Sequence, residues 1–364
     1  MNMDTVSYKC LNCEAPLQYN AQKLKFYCEY CRSEYTEDEL RAHFGDLDEQ
    51  LNNNESVPDD VPAQDVPEGF EDFASNTVIY SCRSCGAEVI AYRNTAATFC
   101  IYCHNPVVLS NRLTGAFKPH KVIPFKISEE DAQNRFFAFC GKKHFLPKDF
   151  ISRAELEKIK GVYYPYWLVD SLKDGIMYAT AKKTRTWRTG DEEFTETKTY
   201  RVTRAGKIDF RGFPHPALRG EHSKALKYVN PYDDNEFRPF TMAYLSGFLA
   251  EKRDTERADV QADVDKELEG YAEKIYKDTI TGYDSVTVDN INVHTLNENW
   301  EYAMMPVWMM NYNYNGRDYL YAMNGQTGKN YGELPLNKGK LAAFGIIMFV
   351  VLLLLCGLGG YFLL

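Results

Sequence analysis

Eight cysteines stand in two copies of one pattern, and their spacing suits tetrahedral metal binding. In each copy a C-x-x-C pair is followed, after fourteen residues, by a second C-x-x-C pair. A C-x-x-C turn directs two sulfurs at a common point about 2.3 Å away, and two such turns complete a four-thiolate zinc site. The predicted metal ligands are Cys10, Cys13, Cys28 and Cys31 in the first copy, and Cys82, Cys85, Cys100 and Cys103 in the second.

These sites predict two structural Zn²⁺ ions, one in each of two zinc ribbons. Four thiolates leave zinc no open position for water or a substrate, so the metal should stabilise the fold rather than take part in a reaction. The two copies repeat with a period of 72 residues. Segments this short cannot bury enough apolar surface alone, so metal binding should supply most of their folding free energy.

Disulfide bonds are the main alternative use of these cysteines. They would require an oxidising compartment, and the segment Met1–Lys9 lacks the apolar core of a secretory signal. Cys103 and His104 also complete a C-x-x-C-H haem-attachment pattern. The first ribbon has Arg32 at that position, and another C-x-x-C pair lies upstream at ribbon spacing. We therefore expect zinc rather than haem or disulfides.

The end of the chain predicts a transmembrane helix. Residues 341–364 include no charged side chain, and the apolar run within them is about 35 Å long as a helix, enough for a hydrocarbon core of about 30 Å. A buried helix of a soluble domain would keep a polar stripe, which this segment lacks. Lys338 and Lys340 precede the span and no positive charge follows it. The positive-inside rule then predicts a single-pass protein of the cell membrane with residues 1–340 in the cytoplasm.

Charge divides the rest of the chain unevenly. The net charge is -9, but residues 37–77 alone have thirteen acidic side chains against one basic side chain, Arg41, so the remainder is about +3. The same stretch contains three consecutive asparagines and three prolines. This composition predicts a disordered acidic linker, which would let the first ribbon extend away from the rest of the protein.

The remaining segment is long enough for a hydrophobic core and predicts an α+β domain of mixed antiparallel sheet and helices. We expect strands at 120–125, 163–171 and 285–295, and hairpins at 175–204 and 306–323, the second around Asn315-Gly316. Helices are expected at 128–140, with a capping box at Ser128, and at 246–278. The second helix should bury Val260, Val264, Leu268, Tyr271 and Ile275. The predicted domains are ribbon 1 (1–36), linker (37–77), ribbon 2 (78–113), the α+β domain (114–335) and the membrane helix (341–364).

A short sequence similarity within this domain suggests that it consists of two pseudo-repeated halves. Pro165-Tyr-Trp167 resembles Pro306-Val-Trp308, and each lies downstream of a Pro-Phe pair and a helix. Each half should then contribute a strand with a buried tryptophan to one sheet.

The α+β domain offers little chemistry. Residues 325–329 hint at a phosphate loop, but Met323 and Asn330 stand where such a loop needs glycine and a hydroxyl residue, so a β-turn explains them better. His215, between two prolines, is expected in an exposed loop. No catalytic or cofactor-binding residue is predicted, and we expect the protein not to be an enzyme.

Nucleic-acid binding is the alternative function, because zinc ribbons often serve transcription and replication machinery. Phosphate contacts need clustered Lys and Arg, and neither ribbon has a dense basic patch. Tyr30 and Tyr102 could stack on bases, although aromatic residues of knuckles more often cover the metal site.

The chain resembles the bacterial double-zinc-ribbon membrane proteins, which are often described as containing a TFIIB-type zinc ribbon. The resemblance covers nearly the whole chain and is most specific in the Pro-x-Trp strands and in Ala322-Met-Asn-Gly-Gln-Thr-Gly-Lys329. Some members are encoded beside PspA-type phage-shock proteins or SPFH-domain proteins. One departure is Glu14, which follows Cys13 where Gly86 follows Cys85 in the second ribbon. The turn at Glu14 is therefore less relaxed, and zinc affinity in the first ribbon should be lower.

The resemblance implies a membrane-anchored scaffold or adaptor that binds protein partners, such as PspA-like or SPFH-domain proteins, at the cytoplasmic membrane face during envelope stress. The alternative is a membrane-tethered nucleic-acid-binding protein.

Overall fold

The structure is a computed structural model of the 364-residue chain. It describes residues 5–6, 8–21, 23–40, 42–43, 77–82, 87–92, 94–101, 103, 105–109, 113, 117–147, 150 and 159–363. The side chains of residues 5–6, 77–79, 81, 88–90, 221, 312 and 355–363 are outside this description.

Strands dominate the described part of the chain, and two of them are 30 residues long. The strands are β1 (Thr5–Val6), β2 (Leu17–Asn20), β3 (Lys25–Cys28), β4 (Glu34–Tyr35), β5 (Thr77–Ser81), β6 (Glu88–Tyr92), β7 (Thr95–Phe99), β8 (Pro106–Leu109), β9 (Lys121–Val122), β10 (Lys160–Thr189), β11 (Glu192–Pro216), β12 (Arg238–Pro239), β13 (Leu249–Glu251), β14 (Ser285–Tyr314), β15 (Arg317–Asn324) and β16 (Asn330–Gly332). The helices are α1 (Glu129–Gly141), α2 (Glu221–Tyr228), α3 (Arg257–Asp278) and α4 (Lys338–Leu363). The predicted α+β class with mixed, mainly antiparallel sheets is confirmed.

The two long strands, β10 and β14, pair antiparallel at the centre of an eleven-stranded sheet. Their near-continuous apolar stretches, Val162–Val169 and Tyr302–Met310, are buried on both faces of the sheet. Such two-sided burial explains why these stretches lack the polar alternation of a half-exposed strand.

The sheet has an internal two-fold order. A short strand pairs in parallel with each long strand, β13 at Val162 and β9 at Ala303. A returning strand then pairs antiparallel, β11 from Tyr166 and β15 from Val307. The same offset of 141 residues separates 162 from 303 and 166 from 307. The two similar Pro-x-Trp segments therefore occupy equivalent positions in the sheet, with the same strand order and register around each.

The buried tryptophans connect the two halves. The Trp167 indole N–H donates to the carbonyl of Thr255 (3.2 Å), just before the N-terminal cap of α3. The Trp308 indole N–H donates to the carbonyl of Ile127 (3.0 Å), just before the cap of α1. Each half thus positions the helix of the other half with one buried hydrogen bond, which is the usual way to bury an indole N–H.

The hairpin of β10 and β11 is confirmed and is longer than predicted. Thr189 pairs with Glu192 across a two-residue loop, and Gly190 has a φ of 65°, as expected for glycine at the first position of such a loop. Beyond Lys182, β10 loses its pairing with β14. The arm tip, defined as residues 183–201, is therefore a two-stranded ribbon, and its side chains are exposed apart from local pairs.

Helix α3 packs on this hairpin, but its buried face differs from the prediction. Val260, Val264 and Leu268 are buried as expected, whereas the buried residues of the next two turns are Ala272 and Tyr276 rather than Tyr271 and Ile275. The Tyr276 hydroxyl donates to the carbonyl of Gly206 (2.6 Å) and lies 3.2 Å from that of Gly175. A tyrosine hydroxyl can thus be buried where the sheet supplies carbonyl acceptors. The periodicity of apolar residues does not reveal such acceptors.

Three other expectations change. The strand expected at 120–125 is only Lys121–Val122, and helix α3 begins at Arg257 rather than at 246. Leu249–Glu251 instead form β13, which joins the sheet. Among the residues that the structure describes, no helix is both long and apolar enough to cross a bilayer, so the transmembrane span predicted at 341–364 is not found.

The second ribbon is continuous with the central sheet. Its strand β7 pairs with β13, and its strand β8 pairs with β1 from the start of the chain. The strands of the first ribbon, β2 to β4, form a separate three-stranded sheet.

The first ribbon also packs on the α+β domain. Tyr19 contacts the Tyr244 ring edge-on, with 5.5 Å between centroids, and the Tyr19 N–H donates to the carbonyl of Ser246 (3.2 Å). Cys10 and Cys28 belong to the same buried cluster as residues of the central sheet. The expectation that the first ribbon extends away from the rest of the protein is therefore wrong, because its apolar face is buried against the α+β domain. Residues 37–40, at the start of the predicted linker, are helical; residues 44–76 lie outside the described part.

The junction between ribbon 2 and the sheet should respond to pH through Glu251. Burial, and to a smaller extent Asp254, raise the pKa of this carboxyl from 4.5 to about 7. The folded state then holds the proton more tightly than the unfolded chain, so the contribution of this carboxyl to stability is full below about pH 4.5 and is lost as pH rises through about 7. At pH 8 the Glu251→Gln variant should be more stable than the parent chain by about 3 kcal/mol at most. Urea unfolding at pH 5 and pH 8 checks this, with the exposed Glu269→Gln as control; an equal effect at both pH values would contradict it.

Candidate metal centres

The four cysteines of the first ribbon converge as predicted. Their Sγ atoms all lie within 4.8 Å of one another, with Cys10–Cys31 at 3.4 Å and Cys13–Cys28 at 3.5 Å. Four sulfurs at about 2.3 Å from a zinc ion would be separated by roughly 3.8 Å, so the arrangement fits a tetrahedral ion after a small expansion. Cys10 and Cys28 are buried and Cys13 and Cys31 are exposed, which places the site at the edge of the core.

One backbone hydrogen bond recurs at all four C-x-x-C segments. The N–H of the first cysteine donates to the carbonyl five residues later: Cys10 to Ala15, Cys28 to Ser33, Cys82 to Ala87 and Cys100 to Asn105. The distances are 2.7 to 3.0 Å. This bond is local to each C-x-x-C segment, and it is the hydrogen bond expected of a zinc-knuckle turn.

Two polar side chains that the sequence analysis missed complete the first site. The Tyr35 hydroxyl lies 3.3 Å from Cys10 Sγ, and the Ser33 hydroxyl lies 3.2 Å from Cys31 Sγ. Burial alone would raise the pKa of the Cys10 thiol, but the hydrogen bonds with Tyr35 and with the N–H groups of Asn12 and Cys13 lower it to about 6. These donors favour the thiolate that binds metal.

The second ribbon brings together the three ligands that the structure describes. The Sγ atoms of Cys82, Cys100 and Cys103 lie within 4.8 Å of one another, and Cys82 and Cys103 are 3.7 Å apart. The fourth predicted ligand, Cys85, lies outside the described residues. Both clusters are compatible with metal ions, while the identity of the metal as zinc stays a prediction. None of the described cysteines forms a disulfide bond.

Backbone strain at the first site gives a direct prediction. Glu14 and Arg32, which follow the second cysteine of each knuckle, have φ values of 59° and 61°. This left-handed conformation costs a residue with a side chain about 1 kcal/mol relative to glycine. The Glu14→Gly variant should therefore stabilise ribbon 1 by about 1 kcal/mol and raise its zinc affinity, as measured by competition with a chromophoric chelator. The exposed Glu29→Gly, where φ is not positive, is the control and should not raise affinity.

The knuckle tips present apolar side chains to solvent. Tyr30 is 74% exposed and Ile101 is 67% exposed, and Leu11 is also exposed. Tyr30 therefore does not cover the metal, contrary to expectation; Tyr35 does so instead. Tyr102 lies outside the described residues.

The residues that hinted at a phosphate loop form a structural turn. Asn324 Oδ1 accepts hydrogen bonds from the N–H groups of Gln326 and Thr327, both at 2.9 Å. The N–H groups of Gly325 and Gly328 donate to the carbonyls of Pro306 and Asn324. The N–H groups that would hold a phosphate are thus already used, so the β-turn interpretation is confirmed.

His215 is not in an exposed loop. It is the penultimate residue of strand β11, is 3% exposed, and pairs with Trp167 in the sheet. Burial and the nearby Lys227 lower its pKa, which favours the neutral imidazole. The expectation that the protein is not an enzyme stays a prediction.

Comparisons with known proteins give one informative relative. No protein-family model and no solved structure matches the chain. The "Uncharacterized protein YdjG" of Bacillus subtilis (strain 168) is 33% identical over 237 residues, which are 65% of this chain and 70% of the relative.

Proposed function

The chain belongs to the family of the Bacillus subtilis protein YdjG, and we propose that it is a membrane-anchored zinc-ribbon scaffold that binds protein partners at the cytoplasmic face. In this proposal two structural Zn²⁺ ions hold the ribbons, and the chain has no catalytic role. A role in an envelope-stress response of the phage-shock type, with PspA-like or SPFH-domain partners, rests on the resemblance of the sequence alone.

The observation that supports a binding role is the exposure of apolar residues on rigid knuckles. Tyr30 and Ile101 occupy the turns between two metal-binding cysteines, and both side chains point into solvent. A metal-held turn loses little entropy when a partner covers it, and exposed aromatic side chains are typical anchors of protein interfaces. These residues would contact a partner protein.

The membrane anchor is proposed from the sequence. Residues 341–364 contain no charged side chain, and residues 341–354 are all exposed. Lipid would cover such a surface more favourably than water. Carbonate extraction of membranes tests the anchor, and recovery of the intact chain in the soluble fraction would rule it out.

Cross-linking in intact cells followed by purification from membranes tests the scaffold. The parent chain should retain a specific partner, and the double variant Tyr30→Ser, Ile101→Ser should lose it while keeping its metal. Tyr92→Ser is the matched control, because Tyr92 is similarly exposed (65%) but lies outside the knuckles. A partner that survives the double variant would contradict the role of the knuckles.

Nucleic acid is the alternative ligand. Salt-dependent binding of the purified chain to single-stranded or duplex DNA at low ionic strength would support it over a protein partner.

A further inference from the structure

The outer edge of β11 in the arm tip is an unpaired strand. Within the described residues β11 pairs only with β10, and all its residues from Glu192 to Arg201 are exposed. An edge strand of this length is a template for pairing with another strand unless it is protected. Neither a proline nor a β-bulge interrupts residues 192–201.

The direction of the backbone groups shows which residues face that edge. The N–H of Thr184 donates to the Asp284 carboxylate (2.5 Å), away from β11. Thr184 and its partner Thr197 are therefore a non-hydrogen-bonded pair. The N–H and C=O groups of Thr197 consequently point to the free edge, as do those of every second residue from Glu193 to Arg201.

The sequence of this edge is a chemical palindrome centred on Thr197. It runs Glu-Phe-Thr-Glu-Thr-Lys-Thr-Tyr-Arg from 193 to 201. Two antiparallel copies aligned at Thr197 would oppose Glu193 with Arg201, Phe194 with Tyr200, Thr195 with Thr199, and Glu196 with Lys198. Opposite charges, aromatic pairs and threonine pairs are the cross-strand combinations that stabilise antiparallel strands.

Other alignments lose this match. A parallel pair in register would place each charge opposite a like charge. An antiparallel shift of four residues along each strand, centred on Arg201, would oppose Arg201 with itself and Lys198 with Arg204. The charge order, with acidic residues from 191 to 196 and basic residues from 198 to 207, therefore selects a second copy of this chain in one register.

We propose that the protein forms a homodimer by antiparallel pairing of β11 with β11 of a second copy, with Thr197 on the two-fold axis. The pairing would add about ten backbone hydrogen bonds. It would extend side-chain rows that already exist in the arm: Trp187 stacks on Phe194, and Arg188 contacts Glu193 at 3.3 Å. The result is a continuous four-stranded sheet made from the arm tips of two protomers.

A charge-swap experiment on the full chain tests the proposal. The variant Glu193→Arg, Glu196→Lys and the variant Lys198→Glu, Arg201→Glu each place like charges opposite one another in a homodimer. Each should weaken dimerisation roughly a hundredfold, as measured by light scattering of the purified, metal-loaded chain in detergent. Mixing the two variants restores every charge pair and should give heterodimers, which also shows that each variant is folded.

Cysteine cross-linking tests the register. Thr197→Cys should form a dimer with a short bismaleimide, because paired Cα atoms across such strands are about 5.5 Å apart. Thr199→Cys alone should not exceed the background of the parent chain, whereas a mixture of Thr195→Cys and Thr199→Cys chains should. Thr186→Cys, on β10, is the control for exposure. A monomeric parent chain, a dimer indifferent to the charge swaps, or an arm tip paired with another protein would overturn the proposal.

Discussion

Replacing Cys28 by alanine should destabilise the α+β domain as well as the first ribbon. Structural zinc contributes about 10–16 kcal/mol of folding free energy in small zinc-binding modules, and a site with three thiolates holds the ion far less tightly. Cys28 and Cys10 lie in the same buried cluster as residues of the central sheet. Loss of the metal should therefore release Tyr19 from Tyr244 and Ser246. We expect a loss of several kcal/mol in the free energy of unfolding.

Cys140→Ala is the matched control for this prediction. Cys140 is equally buried, and burial raises the pKa of its thiol to about 12, so it is a packing residue rather than a thiolate. Its replacement should cost about 1 kcal/mol and leave the metal content unchanged. Urea unfolding gives the two free energies, and hydrogen exchange at 245–250 reports whether the contact surface opens. Equal losses from both variants, with equal metal content, would contradict the structural role of the site.

Replacing Asn324 by aspartate should have the second large effect. The Asn324 side chain is fully buried, and its Nδ2 donates to the carbonyls of Val229 (3.0 Å) and Pro231 (3.1 Å). An aspartate would present an oxygen to both carbonyls, and a buried charge without a partner is strongly unfavourable. We expect a loss of about 3–5 kcal/mol in the free energy of unfolding.

Asn311→Asp is the comparison for this second variant. Asn311 lies in the preceding strand, β14, but is exposed, so its replacement should change stability by less than about 0.5 kcal/mol. Chemical denaturation of both variants gives the difference. If Asn324→Asp were as stable as Asn311→Asp, the buried turn would not hold the 229–233 loop.

The sequence was most informative where local chemistry determines structure. The C-x-x-C spacing predicted eight metal ligands, and the seven of them that the structure describes lie in two clusters. The spacing sufficed because each C-x-x-C segment is closed by a hydrogen bond within six residues. The Asn315-Gly316 pair located its hairpin, since both residues have positive φ (52° and 76°), and Ser128 located the start of α1 through its hydrogen bond with the N–H of Asp131.

Predictions failed where distant partners decide the outcome. Apolar periodicity placed Ile275 in the core of α3, but the sheet below offers carbonyls that bind the hydroxyl of Tyr276 instead. Periodicity also extended that helix back to 246, although residues 249–251 pair with β10 and β7. The docking of ribbon 1 depends on contacts between Tyr19 and Tyr244, which are more than 200 residues apart and leave no local pattern.

The central claim is that two four-cysteine sites bind zinc and hold the fold together, and X-ray absorption at the zinc edge tests it most directly. Reduced, full-length protein should contain two zinc ions per chain, each with four sulfur neighbours at about 2.3 Å. Protein that is folded and free of metal, or zinc bound mainly through nitrogen and oxygen, would contradict the account.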